Sequence, residues 1–282
     1  MNKVLTRMAR GIAVCVLFGG VSALCQGVAP SPAAEVPRVA GNVPATDSVQ
    51  HPLIPVIRWA EKERPNVAAI RDYTATMVKQ ENINGEVQEA QVMEVKVRHQ
   101  PFSVYLKFQL PQKMRGQQAI YVKGQRDNKI VCHGVGAEKL FGTQKLDPEG
   151  FLAMRGNKYP ITELGILNLI DKLLEVGHKD VKVGECTVTY TEGVKVSGRA
   201  CTLIQVTHPV PRPHFLYHVA LIYVDREHNL PIRYESYEWP RKESEKPKLS
   251  EAYTYQNLKI NVELTDADFD PANPAYNFPG MK

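Results

Sequence analysis

Three histidines, His208, His214 and His218, come nearest in type and spacing to a metal site. Four apart on a strand, His214 and His218 share a face. With His208 they offer three imidazoles, enough for a zinc centre. Against this, His208 runs into Pro209 and the Pro211-Arg212-Pro213 loop, and no acidic residue on that strand face orients a ligand imidazole. The histidines therefore read as structural; no metal is expected, and the three-histidine site stands as the minor alternative. Carboxylate pairs such as Glu61/Glu63 and Asp266/Asp268 fall on an exposed helix and in a tail. Residues two apart do not share a helical face, so a paired acid/base site is not expected. Gly-x-Ser-x-Gly, His-Glu-x-x-His, Cys-x-x-Cys and glycine-rich phosphate loops are all missing. The chain reads as a binding protein rather than an enzyme, with no cofactor.

What remains is apolar surface. Phe102, Val104, Leu106 and Phe108 share one face of a strand, and Leu216, Ala220 and Ile222 share one face of another. Residues 214–224 are apolar on both faces, so that strand must be covered on both sides. A helix can supply one cover and a cavity for an apolar guest the other. Ordinary core packing accounts for any one of these residues alone. As a set, more apolar sheet than two helices can cover implies a lined hollow.

Ten segments read as strands: residues 72–83, 86–99, 102–110, 117–123, 129–135, 181–191, 194–207, 214–224, 230–238 and 249–260. Asn84-Gly85 marks the first hairpin, because both residues tolerate positive φ. Residues 51–71 read as a helix, with Pro65 ending one segment and starting another. A second helix runs from an N-cap at Thr162 to a C-cap at Gly177. Residues 134–160 read as loops. The expected fold is mainly β: a strongly curved antiparallel sheet, an unclosed half-barrel, with helices covering its open side.

Cys186 and Cys201 fall in a hairpin. A turn centred on Gly193-Val194 makes them cross-strand neighbours, and a disulfide follows in an oxidising compartment, the alternative being two buried thiols. Cys132 is left as a buried thiol.

Residues 1–25 read as an export signal: Lys3, Arg7 and Arg10 precede an apolar stretch too short to span a bilayer. Lipid attachment at Cys25 is the lesser alternative, since Leu24 is too large for that cleavage site. Residues 26–50, rich in Pro, Ala, Ser and Val, read as a disordered linker, and 51–282 as a single domain. Without the signal's three cations the formal charge of +5 shrinks to near balance, which offers no footprint for nucleic acid. The expectation is a soluble protein of the periplasm or cell envelope, peripheral to the membrane at most.

The later segments carry a resemblance. Asp72-Tyr73-Thr74-Ala75-Thr76, Pro101-Phe102-Ser103-Val104-Tyr105, Leu152-Ala153-Met154, Thr207-His208-Pro209, Leu230-Pro231-Ile232-Arg233-Tyr234 and the stretch from Leu264 to Phe269 are similar to landmarks of a planctomycete family of unknown function. More distantly, Asp225 with Asn229-Leu230-Pro231-Ile232-Arg233, and Tyr255 to Asn261 with Asp268-Phe269, resemble lipoprotein carriers of the LolA type and sensors of the MucB type. That resemblance implies a bent, unclosed barrel plugged by helices. It also implies a lipid, acyl chain or lipoprotein as guest, or, on the alternative reading, an envelope protein partner bound by a sensor or scaffold. The chain departs from the pattern by an insertion between Cys132 and Val181.

Overall fold

The structure, a computed structural model, describes residues 50–281 apart from residue 243. The expected export signal, and the linker up to residue 49, lie outside the described residues. Twelve strands form one sheet: β1 (Asp72–Ile83), β2 (Glu86–Val87), β3 (Gln91–Arg98), β4 (Ser103–Leu110), β5 (Gln118–Val122), β6 (Ile130–His133), β7 (Thr143–Leu146), β8 (Thr187–Val196), β9 (Arg199–Thr207), β10 (Val219–Asp225), β11 (Leu230–Glu238) and β12 (Lys248–Ile260). Their order is β7-β6-β5-β4-β3-β1-β12-β11-β10-β9-β8, with β2 paired beside β1. Every pairing is antiparallel. Strands β7 and β8 end the row without pairing to each other, so the sheet is unclosed, as the sequence led us to expect. An antiparallel sheet this wide curls rather than staying flat.

Alternation along the strands sets the two faces. On β4, Val104, Leu106 and Phe108 face inward, while Tyr105 faces outward and stacks on Tyr276 at 4.2 Å. Helices α1 (Ile54–Ala68) and α3 (Ile166–Asp180) pack on one another, and α3 rests on β11. Val67, Ile166 and Ile170 join Tyr73, Val97 and Val104 in the main core. Each such side chain contributes roughly 1.5–3 kcal/mol by leaving water. The opposite face is covered by the segment after β12, where Phe269, Tyr276 and Phe278 cluster with Ile120, Val122 and Val131. Buried Asp72 anchors that segment, accepting from the N–H groups of Val262 at 2.7 Å and Leu264 at 3.2 Å.

The first hairpin turns at Asn84-Gly85, both with positive φ, as read. Several other expectations are corrected. Pro65 lies inside a single helix and does not divide it. Thr162 sits in a short 3-10 turn, and Gly165 precedes α3 instead. Its φ of 124° and its closeness to the Tyr73 hydroxyl, 3.1 Å from where a Cβ would stand, both demand glycine there. Gly177 is not a C-cap: α3 continues to Asp180, and Gly177 lets α1 approach, with Ile57 Cγ1 3.2 Å from a would-be Cβ. The loop region also holds β7 and a short helix, α2 (Phe151–Met154).

The cysteine expectation fails on register. Val196 pairs with Arg199, so the β8–β9 hairpin turns at Ser197-Gly198, both at positive φ. Gly193 belongs to a bulge. Cys201 therefore faces Val194, while Cys186 lies just before Thr187, which pairs with Thr207. The two cysteines stand on the order of 20 Å apart along the hairpin, and Cys132, Cys186 and Cys201 are all free thiols. Iodoacetamide added under denaturing conditions without reductant should alkylate all three; a linked Cys186–Cys201 peptide would overturn this register.

Candidate functional site

A cavity of about 1860 Å³ lies between the inner face of the sheet and the two long helices. Its walls include Val56, Trp59 and Ala60 of α1, and Asn168, Leu169 and Leu173 of α3. Ile130 of β6 and Val206 of β9 also line it. Those strands are far apart in sheet order, so the sheet wraps around the space. Phe141, Leu152 and Tyr159, from the segment between β6 and α3, complete the wall. Of these, Phe141 and Leu152 are 72 % and 65 % exposed, giving the cavity an apolar outer edge.

The seven residues expected to line a hollow divide. Leu106, Phe108, Leu216, Ala220 and Ile222 line this cavity. Val104 is fully buried in the main core, and Phe102 precedes β4 and borders a separate small recess beside His99 and Leu164. Leu216 is not on a strand: β10 begins at Val219, and Leu216 stands 65 % exposed.

The same shift undoes the histidine set. His214 and His218 lie ahead of β10, so they do not share a strand face. His208 is buried, stacked on Phe215 at 3.8 Å, with Nδ1 donating to Tyr217 O at 3.1 Å. His218 Nδ1 donates to His208 O at 2.8 Å. Among the described residues, the group with ligand atoms within 4.8 Å of one another is Asp225, Glu227 and His228 instead. There Asp225 already holds Arg199 in a two-pronged ion pair, at 3.0 and 2.8 Å. Asp266 and Asp268 are likewise occupied, with Arg98 and Lys96, each at 2.7 Å.

The family of unknown function DUF1571 matches residues 70–278. The chain belongs to that family. No curated protein matches it. Among solved structures it is similar to MucB, with 15 % identity, a TM-score of 0.42, and coverage of 75 % of this chain and 61 % of that one. It is also similar to the lipoprotein LppX of Mycobacterium tuberculosis, with 10 % identity, a TM-score of 0.42, and coverage of 75 % and 98 %. A LolA superfamily protein from Nitrosomonas europaea gives 11 % identity, a TM-score of 0.31, and coverage of 74 % and 96 %. No helix among the described residues is long and apolar enough to cross a membrane.

In this DUF1571 chain the cavity floor carries a buried polar cluster that sequence reasoning missed. Register places Lys79 opposite Tyr253, and Glu81 opposite Glu251, on β1 and β12. On the other side of β12, Tyr234 faces Tyr253 and Ser236 faces Glu251. All six line the cavity. Glu81 and Glu251 are only 4 % and 7 % exposed, a depth at which carboxylates need partners. Glu81 Oε1 accepts from Tyr253 OH at 2.6 Å, and Oε2 accepts from Lys79 Nζ and the Lys158 N–H, each at 3.2 Å. Glu251 Oε1 accepts from Tyr159 OH at 3.3 Å and Ser236 Oγ at 3.4 Å. Lys158 Nζ stands 3.5 Å from Glu251 Oε2 and donates to Ser250 Oγ at 2.7 Å. Lys79 also reaches Asn157 Oδ1, so the segment 157–159 is tied to the floor. The only sequence signal was Met77, Lys79 and Glu81 sharing one face of β1, and that pattern reads equally as a solvent face.

Burial raises the Glu251 carboxyl above its ordinary 4.5, and burial pulls the Lys79 ammonium down. Burial also raises the Tyr253 and Tyr159 phenols, with the Glu251 carboxylate adding to it, so both stay protonated donors. For Glu251, the folded chain holds a proton that the unfolded chain releases between 4.5 and the raised value. Stability therefore falls as pH rises through that interval. Glu251→Gln should remove this contribution. Urea-unfolding free energies from about pH 4 to pH 8 should fall less steeply for the variant than for the wild type. Equal slopes would refute the assignment.

Proposed function

We propose that the chain is an exported envelope protein that binds a lipid, an acyl chain or the acyl part of a lipoprotein in the half-barrel cavity, and that it does so without catalysis. The observation that carries this reading is the cavity itself, larger than the roughly 300–1,000 Å³ of ordinary small-molecule pockets and walled by Met77, Met93, Leu106, Phe108 and Trp59. Each methylene buried there is worth about 0.8 kcal/mol. A chain of a dozen therefore yields on the order of 10 kcal/mol, enough to offset association costs of comparable size. The exposed edge formed by Phe141 and Leu152 supports the same reading, because a guest entering past it stays in apolar contact. Helices α1 and α3 cover the guest, and release requires that they, or the edge segment, move aside.

Native mass spectrometry of gently purified protein should show a bound lipid mass, and apo protein should take up a fluorescent fatty acid. A clean apo mass together with no uptake removes this reading. A single stoichiometric protein recovered from envelope extract, with no lipid, would favour the sensor or scaffold alternative. Leu216→Asp, at an exposed point of the cavity wall, should leave stability within about 0.5 kcal/mol. It should also weaken fatty-acid uptake about threefold to tenfold. Unchanged uptake would exclude contact between the guest and this part of the wall.

A further inference from the structure

The cavity is amphipathic along the strand direction. Down β1 the inward residues run Met77, Lys79, Glu81; down β12 they run Tyr255, Tyr253, Glu251. Met93 and Met77 pair at the apolar end, and Phe108 lies opposite Met93. The change from thioether to carboxylate spans four residues, about 13 Å of strand. One end of the hollow is therefore oily, and the other is lined by phenols, hydroxyls and ion pairs.

The polar end is balanced in charge but not in hydrogen bonds. Lys79 and Lys158 offset Glu81 and Glu251. Yet Glu251 Oε2, deeply buried, has no hydrogen-bond partner among the described residues, and neither has Gln91 Oε1, which pairs across from Lys79. Both atoms accept. A buried acceptor without a donor costs roughly 1–3 kcal/mol, so the surplus points to a guest that brings donors. An anionic head would meet two carboxylates. An ammonium head would crowd Lys158 Nζ, already 3.5 Å from the open oxygen. A neutral head with hydroxyl groups meets neither obstacle.

Building on the cavity-binding reading, we propose that this end is a head-group site. It takes the neutral, hydroxyl-bearing head of an amphiphile, one hydroxyl donating to Glu251 Oε2, with the tail lying toward Met77, Met93 and Phe108. Glu251 then acts as a specificity-determining residue: it selects among lipids with the same tail.

Two lipids with one tail and different heads test this: monooleoylglycerol, with two hydroxyls, and methyl oleate, with none. Both are titrated into the full chain and bound masses are counted by native mass spectrometry. Monooleoylglycerol should bind about tenfold more tightly, the size expected of one hydrogen bond to a charged acceptor. Glu251→Gln, which presents an amide donor in place of the open acceptor, should abolish that preference while methyl oleate still binds. Should Glu251→Gln lose its cooperative melting transition, Gln91→Met provides the second variant, with a preference reduced about threefold. Equal affinity for the two lipids in the wild type, or a preference untouched by the variants, overturns the head-group site and leaves the cavity reading standing. Binding of neither lipid overturns both.

Discussion

Strand β1 pairs with β12 along most of its length, and on its other side with β3. That one strand joins the two halves of the sheet: β3 to β7 descend from one side and β12 back to β8 from the other. The consequences reach every part of the molecule. The pairing brings Tyr73 and Tyr255 into the core that Val67, Ile166 and Ile170 of the two long helices join. It sets Glu81 against Glu251 and Lys79 against Tyr253 at the deepest part of the floor. A slip of β1 by one residue would turn Lys79 and Glu81 to the outer face, away from Tyr253 and Glu251, and bring their neighbours inward. Two irregularities put an extra residue on β12, one opposite Thr74–Thr76 and one opposite Ser236–Tyr237, and lie outside the stretch that pairs Lys79 with Tyr253 and Glu81 with Glu251.

Two helices cannot fill the inner face of so wide a sheet. Where α1 and α3 do reach, packing is dense: Ile57 clusters with Val206 and Ala220, and Val56 with Ile204 and Ile222. Where they do not, toward β4 and β6, space remains, and the segment between β6 and α3 closes over it from the side. That segment is held by polar contacts. Asn157 reaches Lys79, Lys158 reaches Ser250, and Tyr159 reaches Glu251. That cover hangs on a few hydrogen bonds to charged groups, each worth about 1.5–3 kcal/mol net, instead of on a continuous apolar interface.

Much of the fold could be read from residue order alone. The limits of β1 and β11 follow from alternation bracketed by Asp72, Asn84-Gly85, Leu230 and Glu238. Errors arose where a stronger local signal competed with the true one. Gly193 looked like the hairpin turn because glycine usually marks one, yet Ser197-Gly198 turns the chain and Gly193 forms a bulge. Apolar alternation through His214 to His218 suggested strand, but three prolines nearby hold that stretch out of the ladder, and β10 begins at Val219. The polar floor was illegible for a deeper reason. Alternation says which residues share a face, never which face is inside; Lys79 and Glu81 lie inward only because β12 brings Tyr253 and Glu251 beside them.

The central strand and its partner stand near opposite ends of the chain: Tyr253 and Glu81, joined through one hydrogen bond, are 172 residues apart. No chain emerging from the ribosome can finish its middle before its end. Until residues 248–260 arrive, β1 has a bare edge and the first half of the sheet is an unfinished surface, open to mispairing. Such long-range closure makes for slow folding, so this molecule should depend more than most on protection during synthesis.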